Sequence, residues 1–432
     1  MKELSSIIFL TTIFYLFIVL PKFNFYQKEK LFLKDIHLYL INNLIIFLCL
    51  ITFFSILRLD LNIVIFFFIL LILINLINKF NNYYLFFKSN IKKLLFIFFL
   101  VFLFNLQLSS NLELGFDGQA IWYEKTYFIF KGLDPINATM NEYPFFGSYL
   151  WAYFWKLSTL DFEHYGRFSY ILVFLISIVS IFSIYSEKNN IGNYLFLSLI
   201  VFFIFENNFI FNGYQDILVF ILLLIFMHYF ISFQKNKLTI DLVFLYLTSF
   251  ILSWVKNEAN IYCCVLLFVL GLIQKDKNFL LLNLLVVFLI FIHKMLIYKY
   301  YFQIDMGLQP GNYSIKSILS YEFEGTILLY ILISFVKVFF KNIIIIIMMP
   351  FIIFYLMNKK IFSEEQRKTI FTCILSFCIL ICVMISFYIF TSMPLKWHLS
   401  TSLERLIFQV SSILIYPSII ILNKLTNNIK IN

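Results

Sequence analysis

Asp117, in the run Phe-Asp-Gly-Gln-Ala-Ile-Trp (116–122), is the residue of this chain best suited to do chemistry. A carboxylate at the start of a helix, in a polar segment between apolar runs, can act as general base toward a hydroxyl. The same position suits a helix N-cap, and the two roles are compatible. Glu124 follows two helical turns later, so both carboxylates can address one point; the competing assignment is a solvated surface Glu. Lys256 and Glu258 lie in Trp-Val-Lys-Asn-Glu-Ala between two apolar runs, where ionisable groups are costly and face a cavity or a partner. That ammonium could neutralise a phosphate or pair with Glu258 at a hairpin turn. Asp216 opens an apolar run after Asn212-Gly213-Tyr214-Gln215 and is either a cap or a catalytic acid. His398, Thr401 and Arg405 are spaced i, i+3, i+7 and share one face of a helix. A guanidinium fork, an imidazole and a hydroxyl there suit phosphate oxygens. Interfacial anchoring by Trp397 and Arg405 is the alternative. Trp151 and Trp155, one turn apart, either stack on a sugar ring or form part of an interfacial aromatic belt.

The elements that must hold these groups are membrane helices. Of 432 residues, 62% are hydrophobic and 13% charged, which excludes an ordinary soluble domain. The fold class expected is all-α, a polytopic membrane protein. Apolar runs at 4–20, 38–57, 61–78, 92–108, 168–185, 194–208, 216–233, 241–255, 259–273, 279–296, 342–357, 369–391 and 405–424 give about thirteen spans. The first run, followed by Lys22, Lys28, Lys30 and Lys34 without a small-residue cleavage site, reads as a span. A formal charge of +10 would suggest nucleic acid in a soluble protein. Here most of the lysines fall in alternate short loops, including 79–93, and set the orientation by the positive-inside rule, with no nucleic-acid partner expected. That topology lays 326–341 along the outer interface. The six cysteines all fall in apolar runs and read as buried thiols, so neither a disulfide framework nor a metal site is expected.

The longest polar interruption, 109–167, also carries Asp134, Glu142, Tyr143-Pro144, Asp161, Glu163, His164 and Arg167. It predicts a helix over 118–131, capped by Asp117 and ended by Gly132, and a second from Pro144 to Leu157, both in the headgroup layer. The chain divides into N-terminal spans (1–108), an extracytoplasmic loop (109–167) and a transmembrane core (168–432), read as one membrane domain.

Taken in order, Phe116-Asp117-Gly-Gln-Ala-Ile-Trp122, Tyr143-Pro144, Gly213-Tyr214-Gln215-Asp216, Trp254-Val-Lys256-Asn257-Glu258 and Trp397-His398 through Arg405 resemble the signposts of bacterial polytopic glycosyltransferases of the GT-C type, over residues 110–420. The resemblance implies a polyprenyl-phosphate-linked sugar donor and a lipid, glycan or protein acceptor. Transfer would occur with inversion on the extracytoplasmic face of the bacterial plasma membrane, among membrane lipids. It implies Asp117, with Glu124, as the catalytic acids. Lys256, Glu258, His398, Arg405, Tyr143 and Asp216 would surround the substrate and lipid phosphate, with no cofactor or metal required. Unlike the common GT-C order, about four apolar runs precede the acidic loop here. A flippase for lipid-linked glycans, an oligosaccharide polymerase or ligase, and a non-catalytic membrane subunit are the competing functions.

Overall fold

The computed structural model describes residues 2–21, 36–186, 191–206, 208–304, 325–391 and 393–431. Lys22, Lys28, Lys30 and Lys34 lie outside the described residues. In chain order the α-helices are α1 (Lys2–Val19), α2 (Ile36–Ile56), α3 (Leu61–Ser110), α4 (Glu124–Phe130), α5 (Phe146–Leu157), α6 (His164–Tyr185), α7 (Ile191–Glu206) and α8 (Asp216–Asn236). They continue as α9 (Thr239–Val255), α10 (Asn257–Gln274), α11 (Lys277–Leu296), α12 (Gly325–Phe339), α13 (Ile343–Met357), α14 (Glu364–Ile389), α15 (Leu395–Ser411) and α16 (Ile415–Ile431). Among the described residues there is no strand.

Among the described residues, eight helices are long and apolar enough to cross a membrane, or nine if α12 and α13 count as one broken span. Four of the expected spans hold shorter apolar helices, Glu3–Val19, Leu61–Ile77, Gly192–Glu206 and Thr239–Val255. At 1.5 Å per residue these reach about 25 Å, short of a hydrocarbon core of about 30 Å. α12 meets α13 at 88°, so the stretch expected along the interface is a helix set across its successor.

The lysine-bearing stretch 79–93, expected as a loop, is helical and continuous with both flanking runs in α3. A straight helix of 50 residues would be about 75 Å long. Yet both its ends meet the same polar segment: Tyr149 Oη donates to Leu59 O, and Arg167 Nη2 donates to Leu112 O. Tyr149 and Arg167 are themselves joined through the Tyr170 hydroxyl on Gly147 O, so α3 must curve back.

The chain forms two compact units that interleave along the sequence. Unit 1 comprises residues 1–184, 204–221 and 242–256. Its centre is α5, buried at every position from Phe146 to Trp155. Phe154 packs edge-on against Phe14 and Phe47, and Tyr153 against Phe68. This helix was expected from Pro144 in the headgroup layer; it starts at Phe146 and lies inside the unit. The reason is its sequence, Phe-Gly-Ser-Tyr-Leu-Trp-Ala-Tyr-Phe-Trp, which has no polar face to turn outward.

Unit 2 comprises residues 185–203, 222–241 and 257–432. Asn283 in α11 donates to Leu267 O of α10 at 2.8 Å, closing that hairpin. α14 opens with a capping box between Ser363 and Gln366. Its first turns pack Ile370 with Tyr355, Phe362 and Ile421. Cys263 and Cys373 are buried, whereas Cys378 and Cys382, expected to be buried, are exposed on α14. None of the six cysteines is in a disulfide.

Candidate functional site

In unit 1 the polar segment is built around a π-helical turn, Gly118–Tyr123, that leads into α4. Gly115 N donates to Asn212 O at 3.0 Å, and Gln119 N to Gly115 O at 2.9 Å, so the turn is anchored on the 208–215 connection. Three small residues allow this closeness. A Cβ on Gly118 would lie 2.2 Å from Asn212 O, and one on Gly115 would lie 2.5 Å from the Tyr214 ring. Gly213, at φ +75°, faces the Trp151 ring with a backbone that other residues rarely adopt. Gly118→Ala therefore lowers thermal stability, by about 1–3 kcal/mol for a forced backbone shift. Gly325→Ala meets nothing within 4 Å and is the control, expected to melt like the wild type. A melting series on the two variants checks this.

Asp117 precedes the π turn with helical φ −67° and ψ −32° and makes no side-chain cap bond. The capping role expected of it is absent because the helix begins before it. Its carboxylate is half-buried beside the exposed Phe116. Glu124 accepts from the Thr139 backbone N at 3.1 Å and from the Thr139 hydroxyl. A π turn takes about one residue more than an α turn. The seven-residue spacing therefore no longer sets Asp117 and Glu124 on one face, and Glu124 fastens the 132–141 loop. Gly132, at φ +72°, ends α4 as expected.

Trp151 and Trp155 are buried, so neither is a surface platform. Trp151 Nε1 donates to Glu163 O at 2.9 Å, and Trp155 stacks on Phe130 with centroids 4.0 Å apart. Glu163 is joined at both oxygens by Arg167. Burial pushes the Glu163 carboxyl up, and the guanidinium opposes that shift.

The Gly-Tyr-Gln-Asp motif locks the same unit. With its amide oriented to satisfy both groups, Gln215 donates to Val255 O at 2.9 Å and accepts from Ser148 N at 3.2 Å. Asp216 Oδ1 accepts from Lys256 Nζ at 3.1 Å, both side chains being almost fully buried. Lys256 thus pairs with a carboxylate forty positions away and not with Glu258. Removing either partner alone is expected to cost about 3–5 kcal/mol by leaving a buried charge. The double change Asp216→Leu/Lys256→Met is expected to recover most of that. A double-mutant cycle on thermal stability measures the coupling.

Asn257 and Glu258 belong to unit 2, where they meet different groups. Lys294, buried in the last turn of α11, donates to Asn257 Oδ1 at 3.1 Å. The Glu258 carboxylate acts electrostatically on both Lys294 and His398, and Arg405 acts on His398. His398 Nδ1 shares a 2.9 Å hydrogen bond with Thr391 Oγ1, and its ring lies 4.9 Å from that of Tyr388. Tyr388 Oη is in turn 2.8 Å from Ser402 Oγ. Arg405 Nε donates to Thr401 O on its own helix. Lys294, Glu258, His398 and Arg405 form a mixed-charge cluster capable of holding an anion.

Residue spacing did not single out Lys125, Arg167 or Lys294. For Lys294 a signal existed, since an ionisable residue inside the apolar run Phe-Ile-His-Lys-Met-Leu demands a partner. Among the described residues no three His, Cys, Asp or Glu side chains converge as metal ligands. The chain matches no protein-family model, no curated protein and no solved structure.

Proposed function

We propose that this protein is a membrane glycosyltransferase of the GT-C type that moves a sugar from a polyprenyl-phosphate donor to a lipid, glycan or protein hydroxyl. Its active face is extracytoplasmic in a bacterial plasma membrane, and its thirteen apolar runs all count as spans. The observation that carries this proposal is Asp117: a half-buried carboxylate next to a π turn of the kind that gathers at functional sites. Asp117 takes the proton of the acceptor hydroxyl, and the oxygen attacks the anomeric carbon from the face opposite the phosphate. The bond to the phosphate oxygen breaks, and polyprenyl phosphate leaves with the electron pair, so the anomeric centre inverts.

One observation also suits a flippase: Lys294 is a buried cation within a candidate span. Purified full-length protein in lipid vesicles, given polyprenyl-phosphate sugars and a membrane lipid extract, separates the two. Release of polyprenyl phosphate supports transfer. Movement of intact donor between leaflets without release supports the flippase.

A further inference from the structure

Lys125 is the second residue of α4 and has no exposed surface. Its Nζ donates to Tyr143 O at 3.0 Å. The ammonium lies 5.5 Å from the centroids of the Trp122, Tyr143 and Phe145 rings, within the range of cation–π attraction to each. Trp122 is in the π turn; Tyr143 and Phe145 are in the connection to α5. The Trp122 and Tyr143 rings meet edge to face at 5.7 Å, and Trp122 O accepts from Ser148 Oγ at 3.1 Å. A buried lysine held only for packing would be replaceable by an apolar side chain of its length. This one satisfies a carbonyl and draws three rings onto the turn that follows Asp117.

We infer that Lys125 is a positioning residue, whose Nζ, through its hydrogen bond to Tyr143 O, fastens the π turn next to Asp117 to the Tyr143–Phe145 connection and so sets where the Asp117 carboxylate points. The charged groups that face it are Glu124 on its own helix and Glu142 on the connection. Burial pushes the ammonium down to about 7, while Glu142 and Glu124 hold it up. Opening the cage returns the amine to water, where it binds a proton up to its ordinary value of 10.5. Between those limits the opened form holds the extra proton, so the cage closes more firmly as pH rises from about 7 and loosens as pH falls toward it.

The positioning role rests on the transferase proposal, and the experiment separates the two. Full-length wild type, Lys125→Met and Lys125→Arg are compared by backbone hydrogen exchange, corrected for intrinsic rates, and by polyprenyl-phosphate release. In the wild type, protection of 118–131 and 141–146 should rise about tenfold or more between pH 7 and 10. In Lys125→Met that rise should vanish, with kcat at least tenfold lower and donor KM little changed; Lys125→Arg should keep most of kcat. Equal pH slopes in wild type and Lys125→Met, or equal kcat in Met and Arg variants, would overturn the positioning role. If the exchange result holds and no variant or wild type releases polyprenyl phosphate, the fastening stands and the transferase proposal fails.

Discussion

Asp117→Asn is expected to lower polyprenyl-phosphate release by about 10²–10⁴-fold, the range for loss of a general base, while leaving thermal unfolding unchanged. The second half follows from the backbone. Asp117 already has helical dihedrals, and Asn keeps its shape and size, so the turn is not altered. Donor binding should persist, because the base acts on the acceptor hydroxyl and not on the donor. Glu124→Gln is the useful contrast. It weakens the hold on Thr139 without removing a base, so a moderate loss of stability with most of the turnover retained is expected. Turnover of Asp117→Asn at the wild-type rate would end the role given to this carboxylate.

Arg167→Met should be the most destabilising single change in unit 1. The guanidinium is fully buried, forks onto Glu163 at 2.7 and 3.2 Å, and donates to the carbonyls of Leu112, Glu113 and Phe211. One side chain thus ties α6 to the start of the polar segment and to the 208–215 connection. Its loss leaves a mostly buried carboxylate and backbone acceptors without their donor, worth about 3–5 kcal/mol. Arg167→Lys should not rescue it, since an ammonium cannot present five donors in a plane. The variant should also become pH-sensitive. With the guanidinium gone, burial raises the Glu163 carboxyl against the Trp151 hydrogen bond alone, so the folded form holds a proton that the unfolded chain has released. Stability is then retained at low pH and lost as pH rises through the folded value. Melting curves from pH 4 to 8 measure both effects, and a wild-type-like curve for Arg167→Met would show that the clamp contributes little.

Much of the fold was legible in the sequence. Hydropathy located the helical runs, and Gly132 ended α4 as its type demands. The failures have physical causes. The charge of 79–93 marks a loop, but lysine is a good helix former, and α3 continues through it. The Asp117–Glu124 pairing failed because helical periodicity assumes α geometry throughout, and a π turn lies between the two.

By itself the sequence determined that this is a helical membrane protein with its chemistry-bearing residues concentrated in a few polar interruptions. That much is local, set by the apolar length each run can offer a bilayer and by the cost of charge within it. Tertiary structure alone decided which charge meets which. Lys256 and Glu258, two residues apart, fall in different units: one pairs with Asp216, the other acts on Lys294 and His398. The helix breaks at Lys256, so the two side chains leave from different elements, their partners depend on which helices pack beside each, and spacing along the chain does not carry that information.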